Sequence, residues 1–493
     1  MRAPRTKDIV SWPFRLMGTG LKYLLLGYTT KSTSGASFAP QKQYREFLNA
    51  SNRGLLLDGV DLRLSERDSF QNVALMARVG TGKTTRYVVP NVLDKARTHC
   101  SMVINDPKGE VFALTSGYMQ KRGFKVITID PEDLTPSSRF NPLMEARELI
   151  ELEQIAEILV RSGLPSSSGK DDFWLQGAIR FVSLFIKCLK HAGEENPAWF
   201  NLHNLYYLFQ NFGEDGHKLD DFMSRYTIYP DHPDDESLWN EWKGVLTGNP
   251  EGIQSFVLNA ITALKALSNP RVGKLTARSD FSLEDMRKEK TVIYVITPAQ
   301  HAEYYSFLTS LFFRSVFNAC MRRLPDRKTL PVYVLYDEFG HSTIPNFVST
   351  ANTIRGYKVS LSIILQSVSQ LNARYGKDYA DSIQGGFNTY LTYSAADPQT
   401  ASFFEGIIGK VRERQKLRWD EPRDEYREYN LLNANEIRTI GDYEALIVSG
   451  NRQPIKVTAT PFFENWGMRR KSAHPPATTT ASSGDDRLEY VRL

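Results

Sequence analysis

The sequence predicts an α/β fold in which one mainly parallel sheet is interrupted by an all-helical insertion. Short apolar runs at residues 72–77, 101–105 and 125–130 are typical of buried strands, and residues 109–123 between the last two have helical spacing. Strand, helix and strand at this spacing indicate a parallel βαβ unit. From about residue 145 to 267 the strand pattern stops, and it returns afterwards.

The elements after the first unit complete the predicted layout. The insertion has amphipathic helical patterns at 146–161, 172–190, 201–212 and 253–267. Later patterns predict a helix at 302–322 and strands at 291–296, 331–336, 360–365, 389–393 and 445–448. Residues 472–486 have the low complexity of a disordered segment. We therefore divide the chain into a basic arm (1–50), the first part of the α/β domain (51–144), an all-alpha insertion domain (145–270), the second part of the α/β domain (271–465) and a disordered tail (466–493).

The composition is that of an ordinary globular protein. The chain has 493 residues, 41% hydrophobic and 24% charged, and such a length holds about three structural units. Its three cysteines, Cys100, Cys188 and Cys320, are far apart in the sequence. This spacing excludes a disulfide framework and a cysteine-rich zinc site, and it fits a reducing cytoplasm. Cys188 and Cys320 fall in apolar helical patterns, where we expect them to be small core residues.

The net charge of +5 is concentrated in the N-terminal arm. Residues 1–45 contain eight basic residues and one acid, so they carry +7 and the remaining chain sums to −2. The longest uncharged run in the apolar part of the arm, between Lys22 and Lys31, has eight residues. A membrane-spanning helix needs about 20, so none is predicted here. The arm either lies on an anionic membrane surface or packs on the body or on a partner protein.

Residues 77–84 (ARVGTGKT) fit the phosphate-binding pattern G-x-x-x-x-G-K-[ST], with Ala77 in place of the first glycine. Glycines allow the backbone to curl so that its N–H groups face a phosphate. Lys83 is placed to reach the β- and γ-phosphates, and the Thr84 hydroxyl to ligate Mg²⁺. We therefore predict a site for ATP and Mg²⁺ whose nucleotide-binding residues are Ala77, Gly80, Thr81, Gly82, Lys83, Thr84 and Thr85.

An acidic pair follows the apolar run at 332–336. An enzyme with this loop needs a carboxylate at the end of a buried strand to hold the Mg²⁺ shell, and Asp337 has that position. Glu338 would then polarise the attacking water. The alternative is a strand that ends in surface acids without a chemical role. The metal ligands that we predict are Thr84 and Asp337.

Two further residues fit the same chemistry. Gln366 ends the apolar run at 360–365, where an amide can bond to water or to the γ-phosphate. Arg355, 18 residues after Asp337, can serve as an arginine finger for a neighbouring subunit. From position alone, a strand-end amide and a surface arginine are equally compatible with structural roles. The candidate catalytic residues are Lys83, Glu338, Arg355 and Gln366.

Several further strings follow one another in a specific order: DPKGE at 106–110, DEF at 337–339, RGY at 355–357 and QSVSQLNARYG at 366–376. Together with the loop, over about residues 50–465, they make the chain resemble the type IV coupling proteins, the TraG/TraD-like ATPases of bacterial conjugation and type IV secretion. In that family Arg355 and Gln366 match the finger and sensor positions.

The resemblance implies a RecA-like P-loop nucleotide-binding domain with an inserted all-alpha domain. It also implies ATP hydrolysis by a homo-hexamer, with a monomer in isolation left open, and binding of DNA with weak sequence preference. The expected partners are a relaxase–DNA complex or effector proteins and the components of a type IV secretion channel. The expected location is the cytoplasm, peripheral at the inner face of the cell membrane.

One departure from the family concerns the N-terminus. Members usually begin with two transmembrane helices, which the sequence here does not predict, so the arm is the candidate for docking onto the membrane or onto a separate membrane-anchor protein. Two other functions stay open at this point. One is an FtsK/HerA-like DNA translocase, which the helical insertion disfavours, and the other is an adaptor that binds nucleotide without hydrolysing it.

Two smaller groups of residues also have two interpretations. Asp106, Lys108 and Glu110 either contact nucleotide or a neighbouring subunit, or form a charged turn after a strand, which we favour. The aromatic residues between Trp199 and Trp242 either stack on bases or pack helices together, and we favour packing.

Overall fold

The computed structural model describes residues 32–164, 172–227, 236–395, 397–415, 425–479 and 487–493. Its strands, in chain order, are β1 (Ser32–Gly35), β2 (Val73–Met76), β3 (Ser101–Asn105), β4 (Lys125–Ile129), β5 (Thr291–Val295), β6 (Val332–Tyr336), β7 (Val359–Leu365), β8 (Thr389–Thr392), β9 (Lys410–Gln415), β10 (Glu425–Asn430), β11 (Glu444–Ser449) and β12 (Ile455–Thr458).

Nine of these strands form one sheet in the order β12-β11-β8-β2-β7-β6-β3-β5-β4. The seven strands from β8 to β4 run parallel, and β11 is antiparallel to both of its neighbours. Both faces of the sheet are buried, with Met76 and Val334 in the core on one face and Leu75 and Leu335 in the core on the other. Burial on two faces explains why the parallel strands are apolar throughout, and it confirms the predicted α/β class.

The helices, in chain order, are α1 (Glu66–Ser69), α2 (Val89–Lys95), α3 (Glu110–Lys121), α4 (Pro142–Glu145), α5 (Leu149–Gly163), α6 (Asp172–Glu195), α7 (Leu202–Gln210), α8 (Asp220–Tyr226), α9 (Ser237–Leu246), α10 (Pro250–Ala263), α11 (Pro270–Leu275), α12 (Ser306–Met321), α13 (Phe347–Thr353), α14 (Val368–Tyr375), α15 (Lys377–Gly385), α16 (Pro398–Ile408), α17 (Ala434–Arg438) and α18 (Trp466–Ser472). Of the helices described here, none has the length and apolar character needed to cross a membrane.

Helices α5 to α10 build the insertion, and the described residues between β4 and β5 contain no strand. The insertion has its own apolar core, in which Trp242 is fully buried and Trp199 nearly so. The Trp242 indole donates to the Asp220 carboxylate at 3.0 Å, so its polar edge is satisfied inside the domain. The structure therefore supports helix packing as the role of these two tryptophans. Cys188 and Cys320 are buried, as expected.

Helix α12 belongs to two cores at once. Phe307 and Leu311 lie in the core of the insertion, whereas Phe313 and Phe317 lie in the core beside the sheet. Leu308 packs against both. A helix that is apolar around most of its circumference is buried on most sides, and here it forms the common wall of the two domains.

A second sheet, with the order β1-β9-β10, was not predicted. Its strands β9 (KVRERQ) and β10 (EYREYN) are mostly polar, so they lack the apolar alternation by which a strand is recognised. Strand β1 brings part of the predicted arm into this sheet, and Phe47 is buried beneath the Arg452 guanidinium at 5.0 Å. The described part of the arm thus packs on the body, while residues 1–31 lie outside the described residues.

The structure differs from the predicted disordered tail at residues 466–479 and 487–493. Helix α18 buries Met468, and the Ala477 N–H donates to Ser116 Oγ at 3.0 Å. Val491 is buried in the core of the insertion, and its N–H donates to Asn204 Oδ1 at 2.9 Å. Small polar residues indicate disorder only where they lack partners, and the partners of this segment lie in other parts of the chain. Residues 480–486 of the predicted tail lie outside the described residues.

Asn72 fixes the start of β2, the strand that leads into the predicted phosphate-binding loop. It is buried with φ 64°. Its Nδ2 donates to the carbonyls of Ala351 (2.8 Å) and Gly386 (3.0 Å), and its Oδ1 accepts from the Leu361 N–H (3.2 Å). One side chain therefore joins β7, helix α13 and the residue after α15 to β2. Asparagine is among the few residues besides glycine that tolerate this left-handed backbone.

We expect Asn72→Ala to lower the free energy of unfolding by about 3 kcal/mol, because it leaves buried backbone groups without partners at a left-handed position. Asn72→Gly should be less destabilising, since glycine adopts a positive φ without strain. Urea unfolding measures both, with Asn451→Ala in an exposed turn as the control. An Asn72→Ala variant as stable as that control would contradict the role of Asn72.

Candidate active site

The predicted phosphate-binding loop follows β2 directly and has the backbone that the motif requires. Gly80 (φ 83°) and Gly82 (φ 80°) both lie in the left-handed region, where a Cβ would be strained. Ala77 is buried and still donates its N–H to the neighbouring strand, at 3.1 Å from the Leu365 carbonyl oxygen. At that point the residue continues the sheet, so a methyl group is accommodated in place of the first glycine.

Two threonine hydroxyls brace the loop. Thr81 Oγ1 donates to the Arg78 carbonyl at 2.7 Å, and Thr85 Oγ1 donates to the Gly82 carbonyl at 3.2 Å. A short π-helical segment (Thr84–Val88) and then α2 continue from the loop. In loops of this kind, the backbone N–H groups at the start of the helix point towards the anion-binding position.

Lys83 is folded back over the loop. Its Nζ donates to the Ala77 carbonyl at 3.0 Å and lies 3.5 Å from the Arg78 carbonyl oxygen. Burial lowers the pKa of Lys83, and the nearby carboxylates of Glu338 and Asp337 oppose that effect. The ammonium group is thus held among polar atoms within the loop.

Thr84 and Asp337, the two predicted metal ligands, are in direct contact. Thr84 Oγ1 donates to Asp337 Oδ2 at 3.0 Å, although 253 residues separate them in the chain. The contact exists because β2 and β6 are parallel and end at the same edge of the sheet, with only β7 between them. A hydroxyl and a carboxylate are hard oxygen donors, which suits Mg²⁺.

Asp337 is 5% exposed, and burial together with the neighbouring Glu338 charge raises its pKa to about 7. The hydrogen bond from Thr84 and the charge of Lys83 oppose this rise. A carboxyl group with this pKa gains or loses its proton near neutral pH. A divalent cation beside it would favour the ionised form. Within the described residues, no cluster of three or more His, Cys, Asp or Glu side chains could hold a metal ion. A metal ion here would therefore need further oxygen ligands from phosphate or water.

Glu338 has a left-handed backbone (φ 56°), which is unusual for a residue with a side chain. Its carboxylate accepts a hydrogen bond from Gln366 Nε2 at 3.0 Å and lies 3.4 Å from His341 Nε2. Burial favours the protonated form, but His341, Lys83 and Gln366 outweigh it and hold the pKa of Glu338 below its ordinary value. Glu338 is thus kept ionised beside a carboxyl group that tends to hold its proton.

Arg355 is the predicted site residue that the structure does not bring to this edge. It is exposed in the turn Ile354–Tyr357, which precedes β7, whereas Gln366 follows β7. Strand β7 has seven residues, so its ends lie about 20 Å apart. Arg355 cannot reach the Lys83 of its own chain without refolding.

Two residues at the site were not predicted as part of it. Asn105 ends β3 and donates its amide to the Asp337 carbonyl, while its Oδ1 is buried without a hydrogen-bond partner among the described residues. His341 contacts Glu338, as described above. Their positions after neighbouring parallel strands are the signal that could have identified them, since ligands gather at such strand ends. Asp106, by contrast, accepts from the Phe112 N–H at 2.8 Å at the start of α3, which supports the charged-turn interpretation.

Comparison with known proteins gives a consistent result. The family model described as type IV secretory system conjugative DNA transfer matches residues 44–485. A VirD4 protein of Rhizobium rhizogenes is 25% identical over 418 residues, which cover 80% of this chain and 59% of that protein. A conjugal transfer protein TraG of Escherichia coli is 23% identical over 365 residues, covering 69% of this chain and 55% of that protein. The chain thus spans less than two thirds of the length of these relatives.

Solved structures show the same fold. The unbound bacterial conjugative coupling protein TrwBΔN70 superimposes with a TM-score of 0.67 at 16% identity, covering 87% of this chain and 93% of that one. The plasmid coupling protein TrwB in complex with ADP and Mg²⁺ gives the same TM-score at 15% identity, covering 88% of this chain and 96% of that one. These similarities confirm a RecA-like P-loop fold.

The raised pKa of Asp337 predicts a pH dependence of stability in the absence of nucleotide and metal. The folded carboxyl group holds its proton up to about pH 7, whereas the unfolded one loses it near 3.8. Between these values the folded state binds more protons, so stability falls as pH rises, at about 1 kcal/mol per pH unit.

We expect Asp337→Asn to remove this fall, so the variant gains stability relative to the wild type from pH 5 to pH 7. Chemical unfolding at several pH values in the presence of a chelator measures the effect, with the exposed Asp61→Asn as the control. Parallel pH profiles for the wild type and Asp337→Asn would show that Asp337 keeps an ordinary pKa.

Proposed function

Because the chain belongs to the type IV secretory system conjugative DNA transfer family, we propose that it is an ATP-hydrolysing coupling protein. In this role it recruits DNA, as a relaxase–DNA complex, or protein substrates to a type IV secretion channel. The observation that carries the proposal is the contact of Thr84 with Asp337, beside the bonded pair of Glu338 and Gln366. Family membership supports the task, and this geometry supports the reaction.

Each side chain has a distinct part in the proposed hydrolysis. Thr84 and Asp337 would hold Mg²⁺, which neutralises phosphate charge when it is bound. Lys83 exchanges its bonds to the loop carbonyls for bonds to the β- and γ-phosphates. Glu338, ionised and fixed by Gln366, orients the attacking water and accepts its proton. Gln366 in turn links the γ-phosphate end of the site to α14, which begins two residues later.

Arg355 completes the proposed site from a neighbouring subunit. It lies at the edge of the sheet opposite to the loop, so a head-to-tail ring places the Arg355 of one subunit against the loop of the next. We propose a homo-hexamer as the active form. A guanidinium supplied in this way stabilises charge on the transferred phosphoryl group and makes hydrolysis depend on assembly.

The partners and location follow from the proposed task. We propose that the protein binds DNA with weak sequence preference and acts in the cytoplasm, peripheral at the inner face of the cell membrane. Docking onto a separate membrane-anchor protein is part of this proposal. The family match supports a task at a secretion channel, and the pairing of β1 with β9 holds the described part of the arm on the body.

We expect Lys83→Ala to abolish ATP hydrolysis, because the loop loses its only ammonium group at the phosphates. Glu338→Gln should bind ATP but hydrolyse it about 100-fold more slowly or worse, since a positioned base contributes that much. Steady-state hydrolysis with and without DNA measures both, and DNA should stimulate the wild type.

The matched control is Glu289→Gln, which changes a half-exposed carboxylate that pairs with Lys125 at the other edge of the sheet. Wild-type turnover in Glu338→Gln would rule out this residue as the base. Nucleotide binding without any turnover by the assembled wild type would favour the adaptor alternative.

A mixing experiment tests Arg355. We expect Arg355→Ala and Lys83→Ala each to be inactive alone but to recover activity when assembled together. In a random ring about a quarter of the interfaces pair an intact loop with an intact finger, so the mixture should reach about a quarter of the wild-type rate.

The control mixture combines Lys83→Ala with the Lys83→Ala, Arg355→Ala double variant, and it should stay inactive. Mixed rings that form, as sedimentation would show, yet recover no activity would refute a finger supplied by the neighbouring subunit.

A further inference from the structure

Arg86, three residues after Lys83, is a buried cation without a counter-charge. Its side chain is 8% exposed, and its Nε and Nη1 atoms are buried without a hydrogen-bond partner in the described part of the chain. No carboxylate among the described residues lies within ion-pair distance of it. Burying a charged group without hydrogen-bond acceptors costs free energy. The arrangement therefore indicates that a ligand supplies the acceptors that the protein lacks.

Two tyrosines hold the guanidinium in place. Its central carbon lies 5.6 Å from the Tyr393 ring centroid and 5.0 Å from that of Tyr443. The ring faces attract the positive charge of the guanidinium, but they do not serve as hydrogen-bond acceptors for its N–H groups. The Tyr393 hydroxyl is itself buried without a partner, whereas Tyr443 is 47% exposed and donates its hydroxyl to Glu464 at 2.9 Å. The cluster of Arg86, Tyr393 and Tyr443 is therefore open to solvent on the side of Tyr443.

The cluster borders the phosphate-binding loop. A Cβ placed on Gly82 would lie 3.3 Å from Arg86 Nε and 2.8 Å from Thr85 Oγ1. In such loops, the N–H groups at the helix start cradle the α- and β-phosphates. The guanidinium is thus next to the part of the loop that a nucleotide passes.

The order of the strands in the sheet indicates which end of a bound nucleotide would lie next to Arg86. Lys83, Asp337 and Glu338, which serve the γ-phosphate end, lie on the side of β2 that faces β7 and β6. Tyr393 follows β8 and Tyr443 precedes β11, so both lie on the other side of β2. A nucleotide with its γ-phosphate at Glu338 therefore directs its α-phosphate and nucleoside towards Arg86.

We propose that Arg86 is a nucleotide-binding residue that donates to a non-bridging oxygen of the α-phosphate and is oriented by Tyr393 and Tyr443. The inference rests on the proposed nucleotide site and adds a residue outside the loop motif to it. The α-phosphate supplies the acceptor that the guanidinium lacks, and the planar fork of arginine suits phosphate oxygens.

Titration calorimetry with ADP on the full chain tests the proposal. We expect Arg86→Met to weaken ADP binding by about tenfold to a hundredfold, the effect of one charge-assisted hydrogen bond. Arg86→Lys, which keeps the charge but not the fork, should give an intermediate loss. The control is Arg67→Met at an exposed position on α1, which should bind ADP like the wild type.

Sulfur substitution distinguishes direct contact from an effect on folding. A sulfur in place of a non-bridging α-phosphate oxygen of ADP should weaken binding to the wild type but not to Arg86→Met, whereas β-phosphate substitution should weaken binding to both. The melting temperature of the nucleotide-free Arg86→Met variant should not fall, because an unpaired buried charge has been removed.

Three results would overturn the inference. The first is wild-type ADP affinity in both Arg86→Met and Arg86→Lys. The second is weaker binding by Arg86→Met with the effect of α-sulfur unchanged, which would make Arg86 a structural residue only. Both leave the proposed function standing. The third is a wild type that binds no ADP at all, in which case the proposed function fails and this inference fails with it.

Discussion

The hydrogen bond from the Thr84 hydroxyl to the Asp337 carboxylate is the contact on which the site depends. It joins the helix start after the loop to the end of β6 across the intervening strand β7. Asn105 supports it from the next strand by donating to the Asp337 carbonyl. Three parallel strand ends thus converge on one carboxyl group, and the burial that raises its pKa is the consequence of that convergence.

Strand direction also explains why Arg355 lies apart from the other predicted catalytic residues. In a parallel sheet, all residues that follow strands collect at one edge, and all residues that precede strands collect at the other. Lys83, Glu338 and Gln366 belong to the first group and Arg355 to the second. In the proposed mechanism, hydrolysis therefore depends on contact between subunits without a separate switch, since the loop of one chain and the Arg355 of another meet only at an interface.

Sequence reasoning succeeded where a local pattern reflects a local cause. The loop glycines, the strand that precedes Asp337 and the helical insertion are all visible in short windows of the sequence. Sequence reasoning did not predict the features that depend on contacts between residues far apart in the chain. The polar strands β9 and β10 exist because β9 pairs with both β1 and β10, and Val491 has a fixed place because Asn204, far away in the sequence, accepts its N–H. Arg86 went unnoticed for the same reason, because its lack of a partner appears only when the surrounding residues are in place.

The shared helix α12 has a mechanical consequence. Its Phe313 ring packs against Tyr336, tilted by 38° with centroids 4.1 Å apart, and Tyr336 is the residue before Asp337. On the same helix, two and six residues before Phe313, Leu311 and Phe307 are fixed in the other core. Close-packed side chains transmit displacement because they leave no void to absorb it. A movement of β6 by a fraction of an ångström would therefore be passed through α12 to the core of the all-alpha domain.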